Sequence, residues 1–295
     1  MQRLIIAALL LLSLAIAACG GDNGGNGDGT PQPDGSLQPL PGNTELVVGQ
    51  NRFAFGLVDS TNHPIQQAAG TSVHIAFLLD GEPQHEQDAD FVWAIEDVTG
   101  FWTAMVDFTQ PGLWSASVTA TQDGEESDVD FTFQVFERAL APQIGDPAPP
   151  AENLTLDTAG LTRISTDPEP DPTLYEMTVT QALDANEPFV VVFATPAFCQ
   201  TRFCGPVLDN VKAVLPEFSD SVNFIHIEPF DLTEEGEIVA DEQGAFVPAP
   251  PTIEWNLQSE PWVFIIDADG RIAMRFEGAA SAEELRQAIG AVVSG

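Results

Sequence analysis

Basic residues are scarce in this 295-residue sequence: nine Lys and Arg stand against 45 Asp and Glu, and Lys212 is the single lysine. The net charge of −36 lacks the basic surface that nucleic-acid binding requires, so that function is excluded. Docking on anionic lipid through a polybasic face is excluded for the same reason. The many acidic residues form no calcium loop of EF-hand spacing, because residues 267–270 are too short and fit a hairpin turn better. No metal site is predicted.

Cysteine is also scarce, with three residues in the chain. The first, Cys19, follows a segment that begins with Arg3 and continues in an apolar run, residues 4–16, too short to span a bilayer. Residues 1–18 are therefore predicted to be a signal peptide. Residues 16–19 resemble the bacterial lipobox, which implies that Cys19 is lipidated and anchors an extracytoplasmic protein to a membrane.

Residues 19–43 are rich in Gly, Asn, Asp, Pro and Ser and have no apolar periodicity. Such a composition cannot bury enough surface to fold, so this stretch is predicted to be a flexible tether. The rest of the chain is longer than one core usually holds, which predicts two domains. The Pro-rich residues 138–150 are predicted to be the linker between them.

The first predicted domain, residues 44–137, contains short segments rich in Val, Phe, Trp and Thr, separated by turn signals such as Asp80-Gly81. Six or seven such strands in one domain predict an all-β sandwich of immunoglobulin-like type. Three tryptophans are expected to be core or partly buried residues of this sandwich: Trp93, Trp102 and Trp114.

The second predicted domain, residues 151–295, is organised around the apolar run 189–193, which predicts a strand buried on both faces. A short loop with Cys199 and Cys204 follows. Gly205-Pro206 and apolar residues at helical spacing then predict a helix over residues 207–218. Two thiols therefore lie between the end of a strand and the start of a helix, where the helix dipole favours a thiolate.

This arrangement resembles the thioredoxin-like superfamily, in particular its membrane-tethered TlpA-type and redoxin members. Two later stretches extend the resemblance: residues 259–272, which look like the family's cis-proline, strand and hairpin, and residues 276–293, which look like its closing strand and helix. The resemblance implies an α/β fold without a cofactor, a cis peptide bond before Pro261, and thiol–disulfide exchange with protein thiols or disulfides. Pro261 would then help to dock the partner beside the sulfurs.

The spacing Cys-x4-Cys departs from the Cys-x-x-Cys of thioredoxins, so two assignments remain open. If Gly205-Pro206 marks the register, Cys204 attacks and Cys199 resolves the mixed disulfide. If the strand marks it, Cys199 attacks. The sequence favours the first assignment, because Gly-Pro fixes the start of the helix.

Three other functions remain open. The cysteines can form a purely structural disulfide in a non-catalytic surface lipoprotein whose sandwich domain binds another protein. Pro196, Thr201 and Cys204 resemble the peroxiredoxin motif with one residue displaced, and Arg202, Arg271 and Arg275 are the candidates for its arginine. A Sco-like copper site would need both thiolates and a histidine, yet His226 lies in a predicted strand and is expected to be a core residue, and His63, His74 and His85 belong to the other domain.

Overall fold

Strands dominate the part of the chain that the structure describes. The computed structural model describes residues 37–66, 71–199 and 202–294. Within these ranges the chain is β-rich, as the sequence predicts. Its strands are β1 (Leu37–Pro41), β2 (Leu46–Val47), β3 (Gly49–Asp59), β4 (Ser72–Leu79), β5 (Glu82–Asp88), β6 (Asp90–Ile95), β7 (Thr99–Phe108), β8 (Gly112–Gln122), β9 (Glu125–Phe136), β10 (Phe189–Phe193), β11 (Asn223–Ile227), β12 (Trp262–Ile266) and β13 (Ile272–Glu277).

Helices are confined to the second half of the described residues. They are α1 (Leu161–Ile164), α2 (Val179–Ala185), α3 (Cys204–Phe218), α4 (Pro250–Glu254) and α5 (Ala282–Ser294), with a 3-10 helix at Pro172–Tyr175. None of the helices described is long and apolar enough to cross a membrane.

Strands β1 to β9 form two sheets around a shared core. One sheet has the order β1-β3-β7-β6 and the other β2-β9-β8-β4-β5. Alternate residues of the strands point into the space between the sheets, so Phe53 and Phe55 of one meet Phe77 and Trp114 of the other. Trp102 and Trp114 are buried in this core as predicted, whereas Trp93 is only partly buried.

The first described residues differ from the predicted tether. The sequence predicts a tether that reaches residue 43, but Leu37–Pro41 form strand β1, paired antiparallel with β3. Burial of Leu37 against the core explains the difference, because one apolar anchor and a free strand edge order a segment of weak propensity. The predicted signal peptide, Cys19 and the tether up to residue 36 lie outside the described residues.

The third sheet has the order β11-β10-β12-β13, and the loop that leads to both cysteines follows its inner strand β10. Strand β10 runs parallel to β11 and antiparallel to β12. Along β10, Val190 and Val192 face one hydrophobic cluster while Val191 faces another on the opposite side. Two covered faces explain why all five residues of β10 are apolar and buried.

Charged residues join the third sheet and its helices to the first group of strands. Arg52 of β3 is almost fully buried and binds the Glu284 carboxylate through Nε at 2.7 Å and Nη2 at 3.1 Å. Its guanidinium also lies over the rings of Phe101 and Phe276, at 5.1 and 5.3 Å. The paired and stacked geometry lets a buried charge persist at this contact, since Glu284 compensates it.

Backbone hydrogen bonds also hold part of the predicted linker against the third sheet. Gly145 N–H donates to Ile272 O at 2.8 Å, and Ala148 N–H donates to Gly270 O at 2.9 Å. Part of residues 138–150 thus pairs with the hairpin that joins β12 to β13, and the described residues belong to one compact unit.

Candidate functional site

The site lies at one end of the strands of the third sheet, where β10 and β11 end and β12 begins. Phe193, the last residue of β10, pairs with Ile227 of β11 on one side and Trp262 of β12 on the other. The chain beyond Phe193 therefore leaves the sheet next to Glu228 and Pro261, the neighbours of those two partners. The peptide bond between Glu260 and Pro261 is cis. The structure thus brings the cysteine loop and Pro261 to the same edge.

The two sulfurs of the loop are within bonding distance of each other. The Cα atoms of Cys199 and Cys204 are 5.9 Å apart, within the range that a disulfide requires. Cys204 is the first residue of α3 and is completely buried, whereas Cys199 is partly exposed. A partner in solution can therefore reach Cys199 but not Cys204.

The start of α3 is aimed at the exposed sulfur. The backbone N–H of Cys204 donates to Cys199 Sγ at 3.2 Å. The N–H groups of a first helical turn have no intrahelical acceptor, and they carry the positive end of the helix dipole. A thiolate on Cys199 would be stabilised by this contact. The sequence predicts a thiolate at the helix start, and the geometry assigns that position to Cys199 more directly than to Cys204.

Helix α3 is held against the sheet by the apolar residues that the sequence predicts. Val207, Val211 and Val214 recur at helical spacing and are buried in the cluster that also contains Cys204. Pro206 occupies the first turn, where its missing N–H leaves no bond unmade. The packing of α3 thus fixes where the N–H of Cys204 points.

A buried chain of hydrogen bonds fixes the last residue before the loop. His226 Nε2 donates to Ala194 O at 2.9 Å, and Nδ1 accepts from the Tyr175 hydroxyl at 2.8 Å. The Tyr175 hydroxyl also lies 2.9 Å from Ser165 Oγ. Burial lowers the pKa of His226 to about 4, so the ring stays neutral and keeps these roles at neutral pH. The prediction that His226 is a core residue is confirmed.

Tyr175→Phe is expected to destabilise the protein by about 1–2 kcal/mol, because Nδ1 of the buried His226 loses its donor. The free energy of unfolding in urea measures the effect. Thr173→Ala, which removes an exposed hydroxyl from the same 3-10 helix, is the control, and we expect it to change stability by less than about 0.5 kcal/mol. Equal effects of the two changes would contradict a role for the buried chain.

Glu228 is a buried carboxyl at this edge that the sequence does not single out. Only 5% of the residue is exposed, and Oε2 accepts from the N–H and hydroxyl of Thr166 at 3.0 and 2.8 Å. The Thr166 hydroxyl in turn accepts from the N–H of Ala197 in the cysteine loop, at 3.2 Å. Burial raises the pKa of Glu228 to about 7, against the lowering effect of its hydrogen bonds from Thr166. The loop is thus linked to a carboxyl that titrates near neutral pH.

Residues 229–249 cover one side of the cysteine loop. The ring of Phe246 lies 6.3 Å from that of Phe198, the residue before Cys199, and 5.3 Å from that of Phe230. The contact between Phe198 and Phe246 places this stretch beside the loop that carries Cys199. We call residues 229–249 the insertion.

Among the described residues no copper ligand set is gathered at the cysteine loop, and two of the three arginine candidates for peroxide chemistry are paired elsewhere. In the described ranges no group of three or more His, Cys, Asp or Glu side chains is placed to hold a metal ion. Both ring nitrogens of His226 are already bonded inside the protein. Arg271 bonds Gly145 O, and Arg275 bonds Glu45. Thr201 lies outside the described residues.

Comparison with known proteins assigns this chain to no family. No family model matches the sequence, and no curated protein does. An engineered protein is 16% identical with a TM-score of 0.24, over 35% of this chain and 20% of that one. The CARDB domain of a Pyrococcus furiosus protein, solved in complex with di-metal ions, is 9% identical with a TM-score of 0.22, over 35% of this chain and 93% of that domain. This chain therefore spans about a fifth of the engineered protein.

Proposed function

We propose that this protein is a membrane-anchored thiol–disulfide oxidoreductase with an immunoglobulin-like sandwich followed by a thioredoxin-like domain. The observation that carries the proposal is the pair of bonded sulfurs at the start of α3, with the Cys204 N–H directed at the exposed sulfur of Cys199. Thiol–disulfide exchange needs a stabilised thiolate, a second thiol to resolve the mixed disulfide, and a surface for the partner. Two sulfurs of unequal exposure meet the first two requirements.

The order of elements supports the thioredoxin-like assignment. From β10 onwards the chain runs strand, helix, strand, helix, two strands and helix, around a sheet of order β11-β10-β12-β13. Pro261 precedes β12 at the edge where the cysteine loop begins. The immunoglobulin-like assignment is supported by two antiparallel-rich sheets that enclose one core.

The reaction that fits this geometry begins at Cys199, which reverses the assignment that the sequence favours. The Cys199 thiolate attacks one sulfur of a partner disulfide, so an S–S bond forms to the partner and one partner thiolate leaves. The Cys204 thiolate then attacks Cys199 Sγ and releases the second partner thiolate. Two electrons pass to the partner, and the chain ends with the Cys199–Cys204 disulfide. Attack first at Cys204 is disfavoured because that sulfur is completely buried.

The location and partners proposed for this reaction rest on the lipobox resemblance of residues 16–19. Lipidation of Cys19 would hold the protein at the outer side of a membrane, where disulfides persist, and its partners there would be protein thiols or disulfides. The redox reaction requires no cofactor.

A structural disulfide is the second candidate, because Cys204 is completely buried and packs within the hydrophobic cluster beneath the sheet. A bridge of that kind would hold the loop in place without exchanging with a partner.

A redox titration of the full-length protein in detergent tests the proposal. We expect one reversible two-electron transition at a potential above about −300 mV, since structural disulfides of secreted proteins lie below that value. Counting alkylated thiols by mass across the titration should give a difference of two, and Cys204→Ser should abolish the transition. A bridge that stays oxidised in excess dithiothreitol while the protein remains folded would favour the structural disulfide.

A further inference from the structure

The insertion is built from an eight-residue repeat. Thr233 and Asp241 each cap a turn with the side chain: Thr233 Oγ1 accepts the N–H of Glu237 at 3.3 Å, and Asp241 Oδ1 accepts the N–H of Ala245 at 2.9 Å. Gly236 and Gly244 follow three residues later, both with φ of +82°, which the turns require. The two turns therefore have the same construction, one capped by a hydroxyl and the other by a carboxylate.

Three backbone hydrogen bonds close the insertion on itself. Val239 N–H donates to Asp231 O, Val247 N–H to Val239 O, and Asp231 N–H to Val247 O, at 2.8, 2.9 and 2.8 Å. Positions 231, 239 and 247 are eight residues apart; the second and third donate to the position eight residues earlier, and the first donates to the third. The closed arrangement holds the Phe246 side chain in a defined place beside the cysteine loop.

A groove of about 620 Å³ runs between the insertion and α4. Its lining includes two exposed apolar side chains, Phe246 at 36% and Ile253 at 64%, and also Glu260, the residue before Pro261. Phe246 lines this groove and also contacts Phe198, the residue before Cys199, so one side chain borders both the groove and the cysteine loop. A polypeptide whose sulfur reached Cys199 would place its neighbouring residues along this groove.

The surroundings of the groove are negatively charged. Glu260 lines it, Glu242 lies in the second turn of the insertion, and Glu254 ends α4 beside Ile253. None of the described residues that line the groove is basic. Glu242 and Glu254 form no ion pair within the described ranges and both are exposed. The complementary ligand therefore carries positive charge around an apolar side chain.

We propose that this groove docks an extended, basic polypeptide, which holds an apolar side chain against Phe246 and presents the adjacent residue to Cys199. As the identity of a substrate class, the inference rests on the thiol–disulfide exchange proposed above. As a docking site, it stands on the groove and its charge alone.

Calorimetric titration of the full-length protein with a hexapeptide tests the docking. The peptide has a central phenylalanine–serine pair with two lysines on each side, and serine in place of cysteine removes any exchange. We expect saturable binding, which weakens about fivefold in the double variant Glu242→Gln with Glu254→Gln, because two charge contacts are lost. The counterpart peptide with glutamates in place of lysines should bind at least tenfold more weakly than the lysine peptide.

A matched double variant, Glu82→Gln with Glu125→Gln, controls for the high net charge. It removes two exposed carboxylates from strands β5 and β9, which belong to one sheet of the first group of strands, so its net charge equals that of the groove variant. We expect it to bind the lysine peptide within twofold of the wild type. Equal weakening in both variants, equal binding of both peptides, or no binding by the wild type would overturn the proposal.

The reduction of hydroxyethyl disulfide, a small uncharged substrate, separates this inference from the function on which it rests. If the wild type exchanges with that disulfide and all variants bind the peptide equally, the docking proposal is overturned and the redox function stands. The expected binding pattern without any exchange would support the docking groove and count against the redox function.

Discussion

Cys204→Ser is expected to trap the protein in a mixed disulfide with its partner and to lower turnover at least about 100-fold. The exposed Cys199 can still attack, since its sulfur retains the N–H of residue 204 as a donor. The resolving thiol is absent, so the covalent intermediate accumulates. Mass spectrometry of the variant after incubation with a disulfide peptide measures the adduct, and reduction of the same peptide measures turnover.

Cys199→Ser is the matched control. It also removes the bridge, so both variants should lose a similar stability, about 2 kcal/mol for so short a loop. We expect it to lose turnover without forming an adduct, because the remaining sulfur of Cys204 is buried. An adduct in Cys199→Ser and none in Cys204→Ser would restore the order that the Gly205-Pro206 register favours. Adducts in neither variant would indicate a structural disulfide.

The main parts of the site could be predicted because their signals are local. A run of five apolar residues at 189–193, a Gly-Pro pair and apolar residues at helical spacing each determine nearby backbone structure. Which cysteine is exposed could not be predicted in this way. It depends on how α3 packs on the sheet, and that packing buries Cys204 with Val207 and Leu208.

Edge strand β5 could not be predicted from the sequence because it carries no apolar alternation. Strand β5 reads Glu-Pro-Gln-His-Glu-Gln-Asp, and all but one of its residues are exposed. It forms because Asp80 and Gly81 both adopt positive φ and return the chain beside β4. A polar edge strand also protects a sheet from pairing with other chains, so the missing hydrophobic pattern has a physical reason.

Helix α2 begins at a residue that its cap determines. Apolar residues between positions 174 and 186 are compatible with one helix, but the structure divides this stretch into the 3-10 helix ending at Tyr175 and α2 beginning at Val179. Thr178 and Gln181 form a reciprocal capping box that fixes the start of α2. The threonine that lowers helix propensity inside the stretch is therefore the residue that starts the helix.

Glu228 could not be found from the sequence, because a glutamate after an apolar strand is usually exposed at its end. Here the polar residues around it come from distant parts of the chain: Thr166 is 62 residues away and binds the same carboxyl. Burial of this kind is decided by tertiary packing alone. It leaves Oε1 without a hydrogen-bond partner among the described residues, which is costly for a charged carboxylate.

Glu228→Gln is expected to stabilise the protein by about 3 kcal/mol at pH 8 and by less than about 1 kcal/mol at pH 5. The carboxyl has a pKa of about 7 in the folded protein, raised from 4.5 by burial. Between these values the folded state keeps a proton that the unfolded state loses. Its contribution to stability is therefore fully present below pH 4.5 and is lost as the pH rises through 7. The amide is neutral at every pH, so the variant escapes that loss.

Urea unfolding at the two pH values measures the difference, because urea leaves charge interactions unscreened. Glu82→Gln is the control: it removes an exposed carboxylate, and its small effect should be the same at pH 5 and pH 8. A stabilisation by Glu228→Gln that does not grow with pH would mean that the carboxyl is ionised when folded throughout this range. Burial against Thr166 would then hold the charged form, and the link between the cysteine loop and a carboxyl that titrates near neutral pH would have to be abandoned.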